Sequence, residues 1–177
     1  MSALHWSLDN AHTEIGFSVR HMMFSKVRGR FTGWTAELSL DKDSLLQTGV
    51  KVTIDVSSID TANEQRDAHL RSGDFFNAET FPSITFQSTG IVSKGADFLV
   101  DGELTIRDVT RPVQLRASLV GEGQDPWGNQ RLGFAISTKL NRKEFGLTWN
   151  QALETGGVLV GEDILIDIEA QAVGSAA

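Results

Sequence analysis

Three observations in the sequence predict an all-β fold: one largely antiparallel sheet, closed or nearly closed, with a short helical insertion. Apolar and polar residues alternate with period two along most of the chain, the gaps between alternating stretches are turn-sized, and only one segment reads as a helix. A strand with one wet face carries one apolar and one polar phase, whereas the strands of a parallel α/β core read apolar on both faces.

Taken in order, Trp6–Leu8 is a short first strand. Ile15, Phe17 and Val19 form the apolar phase of the next. Trp34, Ala36, Leu38 and Leu40 repeat the pattern, and Val50, Val52, Ile54 and Val56 repeat it again. The helix is expected between Ala62 and Ser72, where Thr61 and Glu64 have the spacing of a capping box and Gly73 supplies a stop. Shorter strands follow at Ile84–Ser88, Phe98–Val100 and Glu103–Ile106, with a turn expected at Asp101–Gly102. Val113, Leu115, Ala117 and Leu119 alternate next, then Leu132, Phe134 and Ile136, and finally Ile164, Ile166 and Ile168. Turn signals at Asp41–Ser44, Ser93–Ala96 and Asp125–Asn129 join neighbours as hairpins. Roughly eight or more amphipathic strands must close into a barrel or pack as a sandwich.

At 177 residues the chain suits a single domain with one core. A net charge of -7 disfavours broad contact with nucleic acid or an anionic membrane, but leaves room for a local basic patch. No apolar run is long enough to span a bilayer. The opening Met1–Trp6 lacks the basic and apolar regions of a secretory signal. A cytoplasmic protein is therefore expected, or a periplasmic one if an export signal was removed. The small residues Val173–Ala177 read as a frayed end, giving a domain over 1–173 and a flexible tail over 174–177.

The chain has no cysteine, and its four histidines form no compact pair, so no metal site and no required cofactor are expected. No nucleophile elbow is present and no catalytic residue is assigned. Ten phenylalanines and no tyrosine suit either a filled core or an apolar cavity. The segment from Glu64 to Phe76 sets Arg66, His69 and Arg71 beside the pair Phe75 and Phe76. It reads either as a structural lid or as a rim that holds a polar head group. Arg111 and Arg142 read as surface or salt-bridging side chains, with ligand contact as the alternative.

Trp6–Asp9, His12–His21, Val27–Phe31, Val56–Thr61, Arg66–Phe76, Phe81–Ser88, Gly102–Pro112 and Asn141–Leu147, in this order, resemble the YceI-like family of polyisoprenoid-binding or lipid-binding proteins. The Arg66–Phe76 block and the Leu104–Pro112 stretch together are the specific part. Asp108 departs from the glycine common in the family at that turn. The resemblance implies an extended, eight-stranded antiparallel lipocalin-like barrel whose tunnel takes an isoprenoid quinone or polyprenyl lipid. It also implies an apolar small-molecule partner and allows a homodimer. The candidate ligand contacts are then Phe17, Phe31, Arg66, His69, Phe75, Phe76, Phe86, Phe134, Arg142 and Phe145. Three functions stay open: isoprenoid-lipid binding, transport or storage; a stress-related β protein without a dedicated ligand; and an enzyme acting on an apolar substrate.

Overall fold

Period-two alternation leaves each strand with one face to bury, and the chain buries it by curling its sheet around a common axis. The computed structural model describes residues 4–154 and 156–176. The strands are β1 (Leu4–Leu8), β2 (Glu14–His21), β3 (Ser25–Phe31), β4 (Trp34–Ser39), β5 (Gly49–Asp55) and β6 (Ile59–Asp60). After the helix α1 (Glu64–Arg71) come β7 (Ser83–Lys94), β8 (Asp97–Ile106), β9 (Val109–Gln124), β10 (Gln130–Asn141) and β11 (Val160–Ala176). Every strand pair is antiparallel, in the order β4-β5-β7-β8-β9-β10-β11-β2-β3-β6. β11 is long enough to hold β10 along one edge while its other edge takes β2 and then β1.

The result is an open, curled half-barrel related to lipocalin-like folds. The expected all-β architecture and helical insertion are present. Eleven strands stand among the described residues where the resemblance implied eight; two of them, β3 and the short β6, escape the alternation pattern because of the basic sequence of one and the brevity of the other. Among the described residues no strand ladder joins β4 to β1. Side chains meet there instead: Trp6, Leu132 and Ala172 form a buried cluster with Leu8, Leu38 and Leu40 packed against it. The chain itself links β3 to β4 through Thr32–Gly33, where Asp55 N–H donates to the Gly33 carbonyl at 2.8 Å and Thr32 N–H to the Ser58 carbonyl at 3.3 Å, continuing the β4–β5 and β3–β6 ladders.

Four local expectations change. α1 begins at Glu64, and its N-cap is Asn63, whose side chain accepts from Arg66 N–H. Thr61 caps nothing; its amide and hydroxyl both donate to Asp67 Oδ1. Asp101–Gly102 is no turn, since β8 runs straight through it. Gly102 is required there because a Cβ would lie 2.4 Å from the Phe86 ring and 2.7 Å from the Gln87 carbonyl oxygen. Leu119 is 38% exposed, because a bulge at Gly133/Phe134 shifts the β9–β10 register and ends the inward phase. The tail expected from residue 174 is strand to Ala176: Gly174 pairs with both Trp6 and Gln130. Trp6 also lies over Gly174, where a Cβ would come within 2.8 Å of its ring. Ala177 lies outside the described residues.

Candidate functional site

The inward phases of the strands do not fill the space they enclose. They line a cavity of about 410 Å³ that runs between the two ends of the half-barrel. At one end lie Leu38, Leu40 and Leu45 near the β4–β5 connection; at the other lie His21, Leu159 and Val160. The walls between are almost wholly aliphatic or aromatic, and the volume falls within the ordinary range of small-molecule sites.

All ten candidate residues line this one cavity. Phe17, Phe31 and Phe76 form a continuous aromatic strip, with ring centroids 5.5 and 6.1 Å apart. Phe75 and Phe145 are buried in the cluster that also holds Val56, Ile59 and Leu147 under the helical segment. Phe86 stands midway, packed with Val100 and Ala117. Phe134 leans on the Trp6 cluster toward the opposite end.

The polar members are more constrained than their residue types suggest. Arg66 Nε donates to Thr61 Oγ1 at 2.8 Å and Nη2 to the Thr61 carbonyl at 2.7 Å, so the guanidinium ties α1 to the strand before it. His69 Nε2 meets Asp74 Oδ2 at 2.9 Å, and its ring stands edge-on to Phe75 and Trp149. Arg142 departs furthest from expectation: it is neither on the surface nor in a salt bridge. It is 4% exposed and donates to the carbonyls of Gly161, Leu147, Trp149 and Val160. Burial pushes its pKa down, with only Glu162 acting weakly the other way. Four bonds leave one N–H of the guanidinium without a partner among the described residues. A guanidinium with no ion-paired carboxylate among the described residues, set in an apolar wall, favours an acceptor on whatever occupies the cavity.

The aromatic residues alone understate the wall. Leu104, Leu115, Ile136, Ile164, Ile166 and Ile168 belong to it as well, and all fall in the apolar phase of their strands. That phase was the signal for them. Nothing in the local sequence marks Trp149, which the 147–161 connection brings back over His69 and Phe75. Among the described residues no three histidine, aspartate or glutamate side chains gather as a metal site. No described helix is long and apolar enough to cross a membrane.

Fold and site thus define a curled β container with an apolar interior and a cationic group near one end. The YceI-like domain model matches residues 6–172, and the chain belongs to this family. A UPF0312 protein of Photorhabdus laumondii is 40% identical over 158 residues, covering 89% of this chain and 80% of its own. A UPF0312 protein of Shewanella denitrificans is 44% identical over 138 residues, or 77% of this chain and 72% of its own. Among solved structures, the Campylobacter jejuni YCEI protein superposes with a TM-score of 0.74 at 31% identity, covering 96% of this chain and 97% of that one. A polyisoprenoid binding domain from Saccharophagus degradans shares the fold at a TM-score of 0.68, with 15% identity over 98% of this chain and 99% of that one.

Proposed function

We propose that this chain is a binding protein rather than an enzyme, and that it carries or stores an isoprenoid lipid of the quinone or polyprenyl type. The observation that carries the reading is the continuous apolar cavity of about 410 Å³ along the sheet. The fold shared with a polyisoprenoid binding domain supports it. Each buried methylene contributes about 0.8 kcal/mol, so one isoprene unit supplies roughly 3–4 kcal/mol before association costs. A slender chain that meets apolar wall on all sides gains this along its whole length, and the half-barrel then acts as a closed, lipocalin-like container around its tail. The one Arg142 N–H that has no partner among the described residues supports an oxygen-bearing head group near the Leu147–Val160 end, with the tail running toward Leu40.

Native mass spectrometry of the purified protein, followed by solvent extraction, tests for a bound lipid without presupposing one. Titration with an isoprenoid quinone then compares the wild type with Ala117→Phe, which fills the middle of the cavity beside Phe86 and Val100. The expected result is saturable binding that weakens at least about tenfold in the folded variant, because the tail loses its path. Absence of saturable binding, or binding indifferent to the obstruction, overturns the reading.

A further inference from the structure

The turn between β2 and β3 presents Met22, Met23 and Phe24 in succession, with exposures of 41, 55 and 78%. Met22 and Met23 both adopt left-handed backbone, at φ 54° and 70°, which is costly for residues with a side chain. The turn is nevertheless fixed. Met22 N–H donates to the Leu159 carbonyl at 2.8 Å, and the Met23 side chain lies over Gly157. Strained backbone here holds apolar side chains out toward water instead of tucking them in.

The ribbon behind the tip has two unlike faces. Register sets Arg20 opposite Lys26 and Ser18 opposite Arg28, so Arg20, Lys26 and Arg28 share the outer face. All three are exposed, and among the described residues none lies within ion-pair distance of a carboxylate. Glu162 and Asp163, on the adjoining β11, are engaged by Lys143 and Lys139. A basic ribbon in a chain of net charge -7 reverses the overall sign locally. The inner face differs: His21 and Val27 line the end of the cavity, beside Leu159 and Val160.

We propose that the β2–β3 hairpin docks this protein on an anionic lipid bilayer. Met22, Met23 and Phe24 enter the interfacial layer, while Arg20, Lys26 and Arg28 meet the phosphate groups of the lipids. An apolar tip ringed by cations is the chemistry that binds a membrane surface without spanning it. Because the same hairpin closes one end of the cavity, docking sets that end against the membrane, where an apolar lipid can pass between bilayer and protein without crossing water. The transfer role rests on the lipid-carrier reading above; attachment to the bilayer does not.

Co-sedimentation of the full chain with phosphatidylcholine vesicles, and with vesicles mixing phosphatidylcholine and phosphatidylglycerol, tests the proposal. Binding is expected to be at least about tenfold stronger to the mixed vesicles and to fall as salt rises. The double variant Met23→Ser, Phe24→Ser should lose about tenfold in vesicle binding. The triple variant Arg20→Gln, Lys26→Gln, Arg28→Gln should bind both vesicles alike. Both should keep wild-type circular dichroism and wild-type affinity for isoprenoid quinone in solution. Equal binding of the wild type to the two vesicles, no binding to either, or a tip variant that binds as well as the wild type overturns it. Vesicle binding without any lipid uptake in solution would overturn the carrier reading and leave this one standing.

Discussion

Arg66 and Arg142 line one cavity but are held by unlike surroundings, and their variants should separate accordingly. Arg142 is buried against four backbone carbonyls. Arg142→Ala strands those acceptors away from water, and a loss of about 2–4 kcal/mol in urea unfolding is expected. Lysine cannot replace the guanidinium fork that reaches Gly161 and Leu147 together. Among the described residues the Arg66 side chain bonds only Thr61, so Arg66→Ala should cost about 1 kcal/mol. Its effect on lipids with and without a polar head group should be the same. A loss confined to lipids that carry a head group would return Arg66 to direct contact. Sequence showed both arginines as candidates but could not rank them. Arg66 meets partners five residues away, within a readable segment, whereas the carbonyls around Arg142 come from a connection with no periodic pattern.

Among the elements, β3 and β8 depend on glycines that alternation alone misreads. β3 was not apparent as a strand because Lys26, Arg28 and Arg30 crowd its polar phase and Gly29 interrupts its apolar one. In the structure the Phe17 ring occupies the space of the missing side chain, 2.4 Å from where a Cβ would stand. Phe86 does the same over Gly102 in β8. These rings cover a bare stretch of neighbouring backbone, so an aromatic on one strand explains a glycine on the next. Gly102→Ala should therefore destabilise by about 1–3 kcal/mol, because the Gln87 carbonyl at 2.7 Å is backbone and cannot swing aside as a side chain can. A lowered urea midpoint with an unchanged slope is the expected readout. An unchanged midpoint would mean that β7 and β8 part more easily than their ladder indicates. The strands with clean alternation were legible from sequence, since a pleated strand with one buried face permits no other pattern.

For the whole molecule, what alternation could not show is how the sheet's ends meet, because closure depends on curvature and on distant side chains. Among the described residues β1 has only β11 as a ladder partner, and it otherwise packs on β4 through side chains. An ion cluster secures its exit: Arg131 Nη1 donates to Asp9 Oδ2 at 2.7 Å and Nε to Asp125 Oδ2 at 2.9 Å. The Asp9 amide also donates to the Gln171 carbonyl, so the end of β1, the β9–β10 turn and β11 are held at one point. The Arg131 guanidinium, with a smaller contribution from His12, holds the Asp9 carboxyl down at about 2, against an ordinary value of 3.8. A carboxyl depressed on folding stabilises the native state at pH above its unfolded value. That contribution is lost as pH falls from 3.8 through about 2, when protonation favours the unfolded chain. Other carboxylates here are depressed too, Asp97 by Ser118 and Arg116 and Glu162 by Lys143, so the whole protein should lose stability in acid. The discriminating measurement is the difference between wild type and Asp9→Asn in urea unfolding across that range. At neutral pH the variant should be less stable, and its exchange protection at Trp6–Leu8 should fall, since β1 loses its anchor before it loses its ladder. As pH drops toward about 2 the two proteins should converge, because the wild type then loses the charge that the variant never had. A gap that stays constant across the range would assign the effect to packing at the end of β1, with the Arg131 pair contributing nothing to holding the half-barrel's open side.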